Sequence, residues 1–288
     1  MSVALALSTC SAFAQPDRGA LDRRCDAGSA QACDELGTYV EDEADGGGEL
    51  VRARALYERA CAAGLASGCN HLAFELIAGK GGDRNFERAA QLAANACDGG
   101  VTEVCNNFAA LLSDGEGVPK DVPRALSLWE RACERSSRDA CANVGKTYLT
   151  GLGVPRDLAR AAQFSRKACE LGSGQGCTNL GAQAFEGLGM ETDPLQAVQW
   201  FERACALHHS MGCNNLGEAY RTGKGVVKDL PKAAELLARS CDGGCGYGCT
   251  NLAKMVRKGQ GGLAKDEARA DALLRKGCAT GDATACPR

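Results

Sequence analysis

The sequence predicts an all-α solenoid, a stack of antiparallel helix pairs, and three observations carry that prediction. A pair of cysteines eight residues apart recurs along the chain. Its first members are Cys25, Cys61, Cys97, Cys133, Cys169, Cys205 and Cys241, each 36 residues after the last, and an eighth pair, Cys278 and Cys286, follows 37 residues on. Glycine-rich punctuation recurs with the same period, and so do apolar and small residues at helical spacing. Self-similarity at a fixed period of this size is the signature of stacked repeats, which form one continuous body.

Residues 16–25 lead into the first cysteine pair and fit a partial helix from Arg18 to Cys25. Each interval then repeats one plan. An apolar residue stands three after the second cysteine: Leu36, Leu72, Phe108, Val144, Leu180, Leu216 and Leu252. A small residue follows at once, as in Gly37, Ala73, Gly145 and Gly181. Side chains three and four apart share a helix face, so Leu76, Leu112 and Tyr148 extend the stripe of a first helix, helix A, of about a dozen residues.

Gly151-Leu152-Gly153-Val154 and its counterparts at 115, 187 and 223 come next, where glycine permits the left-handed turn that ends a helix. Asp121, Asp157, Asp193 and Asp229 are placed to cap the helix that follows, and Asp193-Pro194 fits the preference for proline at the first helical position. Helix B carries alanine at 53, 89, 125, 161, 197 and 233, with a bulky apolar residue three later: Leu56, Leu92, Leu128, Phe164, Trp200 and Leu236. The first cysteine of each pair thus ends helix B and the second opens the next helix A. A short glycine-bearing link there brings two cysteines within reach of a disulfide, worth about 2.5 kcal/mol over a loop of about nine residues.

Composition narrows the function. The 288 residues carry 33 basic against 36 acidic side chains, which points neither to nucleic acid nor to an anionic membrane surface. No later stretch is long and apolar enough to span a bilayer. Eighteen cysteines without a single C-x-x-C read as structural bridges made in an oxidising compartment, with metal ligation and free thiols as the other readings. Residues 1–14 are uncharged, Val3 to Leu7 are apolar, and Ala12-Phe13-Ala14 before Gln15 is an A-x-A site. The expectation is a signal peptide over 1–14, cleaved after Ala14, and a single secreted or periplasmic solenoid over 15–288 of about seven 36-residue repeats. The rival reading takes Leu7-Ser8-Thr9-Cys10 as a degenerate lipoprotein box with Cys10 as the anchor.

Gly-x-Gly-Val, then Asp, then Ala, within a 36-residue helix pair resembles the Sel-like repeat, a longer-looped relative of the tetratricopeptide repeat. With the C-x₇-C pairs, residues 18–286 resemble the cysteine-rich Hcp family of secreted bacterial Sel-like repeat proteins. The resemblance implies a right-handed α-solenoid with one disulfide per repeat: Cys25–Cys33, Cys61–Cys69, Cys97–Cys105, Cys133–Cys141, Cys169–Cys177, Cys205–Cys213, Cys241–Cys249 and Cys278–Cys286. It also implies a penicillin-binding protein or weak β-lactamase acting on a β-lactam or a cell-wall fragment. The broader Sel-like group instead comprises scaffolds that bind other proteins.

The residues themselves offer little to catalysis. No Ser-x-x-Lys occurs, and the three histidines, His71, His208 and His209, do not form a zinc-ligand motif. His208-His209 reads as a solvated loop. Ala140 to Thr147, ACANVGKT, matches a phosphate-binding loop superficially, but it falls in helix A, where the backbone N–H groups are engaged. No cofactor and no metal are expected. Asn107, Asn143, Asn179, Asn215 and Asn251 form a ladder read as bonding to the neighbouring repeat's backbone.

Concave faces are how solenoids bind, so the expected partner is a protein or peptide lying along helix A. Lys146, Phe185, Arg221, Lys254, Arg257 and Lys258 are the expected contacts, with Phe185 as an apolar anchor and the basic residues facing an anionic segment. Cys245, between two cysteines assigned to each other, is expected to be free or to form an intermolecular bond.

Overall fold

A computed structural model describes residues 17–44, 46–98 and 102–286. The expected leader over 1–14, its expected cleavage after Ala14 and the rival lipid site at Cys10 lie outside the described residues.

The described residues form fifteen α-helices and no strand. In chain order they are α1 (Arg18–Asp26), α2 (Ala30–Asp42), α3 (Gly47–Ala62), α4 (Ala66–Ala78), α5 (Phe86–Asp98), α6 (Thr102–Asp114), α7 (Val122–Glu134), α8 (Arg138–Thr150), α9 (Leu158–Glu170), α10 (Gly174–Glu186), α11 (Pro194–Ala206), α12 (Ser210–Thr222), α13 (Leu230–Asp242), α14 (Gly246–Lys258) and α15 (Glu267–Ala279). A short 3₁₀ turn at Ala283–Ala285 follows. Even-numbered elements are the A helices, and odd-numbered ones from α3 are the B helices. The chain divides into two compact units, residues 1–104 and 105–288. Within each, a helix packs on its sequence neighbours, and A helices of successive repeats also touch, as α2 with α4 and α10 with α12.

Local chemistry sets the helix ends. Asp121, Asp157, Asp193 and Asp229 each accept a hydrogen bond from the backbone N–H three residues on, at 2.9–3.0 Å. Gly187 closes α10 at φ 73°, a left-handed conformation that a side chain would strain. In the first repeat the acidic run replaces this turn: α2 ends at the equivalent position, Asp42, with Glu43 as its cap at φ −90°.

The core is small residues against large ones. A methyl group on Gly37 would lie 2.6 Å from the Tyr57 ring, and one on Gly181 would lie 2.6 Å from the Phe201 ring. The absent side chain is what lets helix B seat an aromatic beneath helix A. The expected packing of helix B holds in part. Of the residues three after the alanine, Leu56 and Leu236 are buried and Leu92, Leu128, Phe164 and Trp200 are only half-buried, whereas Tyr57, Trp129, Phe201 and Leu237, one position later, are 0–5 % exposed.

Disulfides staple the junctions between successive helices, and the last ties the end of α15 to the residue after the 3₁₀ turn. They are Cys25–Cys33, Cys61–Cys69, Cys133–Cys141, Cys169–Cys177, Cys205–Cys213, Cys241–Cys249 and Cys278–Cys286, with Cα atoms 4.4–4.8 Å apart. Cys97 and Cys105 are both in disulfide form. Arginines reinforce two of the junctions: Arg59 donates to the carbonyl of Cys25 at 2.8 Å and Arg203 to that of Glu170 at 3.3 Å.

Candidate functional site

Two clefts open between consecutive A helices in the unit spanning 105–288. One lies between α6 and α8, with Ala110, Ser113, Asn143, Lys146, Thr150 and Leu152 around Trp129. The other lies between α10 and α12, with Ala182, Phe185, Asn215, Glu218, Thr222 and Lys224 around Phe201. Their volumes are about 230 and 340 Å³. Each residue of the first set stands two repeats before its counterpart in the second. The same fold positions therefore build both clefts, and side-chain identity makes them differ. The Trp129 cleft is hydroxyl- and amide-rich, with Leu152 71 % exposed at its mouth. In the Phe201 cleft the Lys224 ammonium sits 3.7 Å from the Phe185 ring centroid and donates to the Phe185 carbonyl at 3.3 Å. That leaves an apolar slot with Lys224, Glu186 and Glu218 at its edge.

A third set of the same positions, a further two repeats toward the N-terminus, surrounds Tyr57 in the unit spanning 1–104: Thr38, Glu41, His71, Phe74, Ala78 and Lys80. Here the side chains hold one another. The Tyr57 hydroxyl donates to Glu41 Oε2 at 2.9 Å, and Lys80 Nζ donates to Glu41 Oε1 at 2.5 Å. The Lys80 ammonium also stands 5.3 Å from the Phe74 ring centroid, and the rings of Tyr57 and His71 lie 4.9 Å apart. Behind them Asp34, from α2, meets His71 Nδ1 and accepts from the Ser67 hydroxyl, each at 2.7 Å.

The electrostatics follow this geometry. The bond to Asp34 raises the His71 pKa against the opposing effect of burial. Burial works against ionised Asp34 and Glu41. His71 and Ser67 nevertheless hold Asp34 below the usual carboxylate range, and Lys80 and Tyr57 do so for Glu41. Glu75 is the exception. It is 1 % exposed, neither carboxylate oxygen has a hydrogen-bond partner, and Lys80 Nζ stands 3.9 Å away. Burial, and then the neighbouring Glu41 carboxylate, pushes it up to about 7.

Of the residues expected from the sequence, Lys146 and Phe185 line the two clefts of the second unit. The basic quartet is not gathered at either. Arg221 forms a bidentate pair with Glu218 at 2.7 and 2.8 Å, and Arg257 is held by Glu267 at 2.9 Å and Asp271 at 2.8 Å. Lys254 donates to Asn251 at 3.0 Å, and Lys258 is exposed. Two members of the asparagine ladder bond to side chains instead of backbone: Asn143 donates to Asn106 Oδ1 at 3.3 Å and Asn251 to Asn214 Oδ1 at 3.0 Å.

His208 is exposed as expected, but His209 is not simply solvated. It caps α12 and its Nδ1 meets the Thr178 hydroxyl at 2.8 Å, with burial lowering its pKa. The ACANVGKT stretch lies inside α8. Cys245 is a free thiol, 9 % exposed at the cap of α14, with its Sγ 4.0 Å from Met211 Sδ. A bond from it to another chain requires that cap to open.

Sequence reasoning missed the cleft floors, Trp129 and Phe201, and their counterpart Tyr57, and with them Lys80, Lys224 and Glu75. The signal was present as an aromatic returning in every second repeat.

Among the described residues, no group of three or more His, Cys, Asp or Glu side chains is placed to hold a metal, and no helix is long and apolar enough to cross a membrane. No curated protein matches the chain. Among solved structures, a Sel1 repeat protein from Oxalobacter formigenes is 20% identical over 85% of this chain and 96% of that one, with a TM-score of 0.73. The protective antigen c5321 of uropathogenic Escherichia coli is 24% identical over 93% of this chain, with a TM-score of 0.70, and this chain spans 57% of its length. Helicobacter pylori cysteine-rich protein B is 34% identical over 47% of this chain and 97% of that one, with a TM-score of 0.38. The pattern of the Sel1 repeat matches residues 30–65, 66–101, 103–137, 138–173, 174–209, 210–245 and 246–282. With seven matched repeats, each an A helix followed by a B helix, the chain belongs to the Sel1 repeat family.

Proposed function

We propose that the chain is an exported scaffold that holds an extended peptide segment of a partner protein along the A-helix side of residues 105–288. The observation that carries this reading is the pair of equivalent clefts at Trp129 and Phe201, each sized for side chains, repeated on one face. Repetition of a slot suits an extended ligand, whose side chains recur at regular intervals. The Phe201 cleft takes an apolar side chain, with Phe185 as its wall, and the Trp129 cleft takes a polar one through Ser113, Asn143 and Lys146. Arg221 and Arg257 already hold carboxylates of this chain, which leaves Lys254 and Lys258 to meet acidic residues of the partner. The disulfides support export, because such bonds persist in oxidising compartments.

The test is a peptide-display selection on the oxidised full chain. Selected peptides are expected to lose about tenfold or more in affinity for Ala182→Trp, which fills the Phe201 cleft, at an unchanged unfolding midpoint. Peptides that bind Ala182→Trp and Ala110→Trp as tightly as the parent overturn the reading. The hydrolysis of β-lactams implied by the Hcp resemblance is checked on the same preparation with a chromogenic cephalosporin. Turnover that copurifies with the fold and disappears with one point substitution would replace the scaffold reading with an enzyme.

A further inference from the structure

We propose that the side-chain cluster around Tyr57 in the unit spanning residues 1–104 is a binding site for a primary ammonium group presented by a partner, and that Lys80 occupies it as an intramolecular stand-in. This site goes beyond the peptide-binding face above and uses none of its residues, so either reading can fail alone.

The structure shows what an ammonium meets there. Lys80 Nζ has Glu41 Oε1 at 2.5 Å, Glu75 Oε1 at 3.9 Å and the Phe74 ring centroid at 5.3 Å. The Glu41 carboxylate, the buried Glu75 carboxyl group and an aromatic face make the cation-attracting surface that a primary ammonium, with three N–H donors and no acceptor, fits. Glu41 is aimed by the Tyr57 hydroxyl at 2.9 Å, so its orientation does not depend on Lys80.

Glu75 supplies the second, independent indication. Its carboxylate is 1 % exposed and accepts no hydrogen bond. A buried acceptor left in that condition is costly, and native folds seldom keep one without use. Packing does not demand it, because the same position in later repeats is filled by Leu111, Thr147, Gln183, Ala219 and Met255. One lysine is thus shared between two acids, at a distance that satisfies only the first.

Lys80 is also built to leave. It sits between Gly79 and Gly81, both at positive φ, with its side chain 40 % exposed. The equivalent loop residues over the two clefts are Leu152 and Lys224. Phe74, 50 % exposed, presents an open apolar shelf that a lysine-like methylene chain can lie on. A tethered lysine competes with an incoming one at a millimolar effective concentration, so it masks the site from weak ligands while it stays.

The experiment titrates the oxidised full chain with Nα-acetyl-lysine methyl ester, using Nα-acetyl-norleucine methyl ester as the uncharged control, and follows binding by NMR. Lys80→Ala is expected to bind the lysine ester at least about fivefold more tightly than the parent, because the internal competitor is gone. In that background Glu41→Gln should abolish binding. Phe74→Ala should weaken it about threefold; its half-exposed side chain keeps the test readable if Glu41→Gln fails to fold. Equal affinity of parent and Lys80→Ala, equal binding of the norleucine ester, or indifference to both Glu41→Gln and Phe74→Ala would each overturn the proposal. A Lys80 that merely stabilises the fold would lower the unfolding midpoint on removal without any gain for the probe.

Discussion

Trp129 and Phe201 lie two repeats apart and close the floors of two clefts at the same place in their helix pairs. The residues at this position in the alternate repeats are Ala93, Ser165 and Leu237, none of them aromatic. The backbone recurs with each helix pair, but the aromatic floor recurs with every second one. A second pattern of side chains is therefore laid over the first.

Gly181 should not tolerate alanine. The added methyl would stand 2.6 Å from Phe201 Cε1, inside van der Waals contact, and either α10 or the ring must move. A loss of about 1–3 kcal/mol is expected in chemical denaturation. Gly145, whose methyl would meet only the Ser165 hydroxyl, at 2.7 Å, and nearby backbone, is the control that separates ring displacement from a general helix effect.

Removing one bridge should cost stability without unfolding the rest. The double variant Cys169→Ala/Cys177→Ala opens a loop of about nine residues and should lose about 2.5 kcal/mol. Near-neighbour coupling in a repeat body predicts that hydrogen exchange accelerates mainly in α9 to α11. A uniform rise along the chain would contradict that.

Stability should fall as pH rises through neutrality, and Glu75 should be one cause. In the fold it holds its proton up to about 7, whereas its ordinary value is 4.5. A raised pKa contributes stability that is complete below the ordinary value and is lost as pH climbs through the folded one. The shift corresponds to roughly 3 kcal/mol between pH 4 and pH 8. His71, raised by Asp34, acts in the same direction, while Asp34 and Glu41, both lowered, contribute stability that is lost on acidification. Glu75→Gln should flatten the slope between its ordinary value of 4.5 and about 7 and leave the acid limb alone; parallel curves would show that Glu75 is ionised in the fold.

Cys245 should be the slow thiol. It is free but 9 % exposed and packed on Met211, so alkylation of native protein should leave it unmodified for hours and denaturation should release one equivalent. Rapid native labelling at Cys245, or a peptide map placing it in a bridge, would contradict the structure.

Much of the fold was legible because its determinants are local. Asp193 caps α11 and Gly187 ends α10 through bonds made within a few residues, and such chemistry shows in the sequence. The clefts were less legible. The cysteine pairs return in every repeat and the aromatics in every second one, and alanine-plus-three spacing points to Trp200 instead of Phe201. The pairing of Arg221 with Glu218 was readable from its i,i+3 spacing. The pairing of Arg257 with Glu267 was not, because it depends on how α14 lies against α15. The burial of Glu75 is likewise tertiary, and nothing in its sequence neighbours marks it.

The described bridges each connect cysteines only eight positions apart. Each can therefore close as soon as its own short segment enters an oxidising compartment, with no need for remote portions of the chain to be present. Sequential oxidation of this kind has one weak point, at Cys241–Cys249. Cys245 stands midway, four positions from either sulfur, and competes for both until the helix cap buries it. That junction is where an isomerase has work to do.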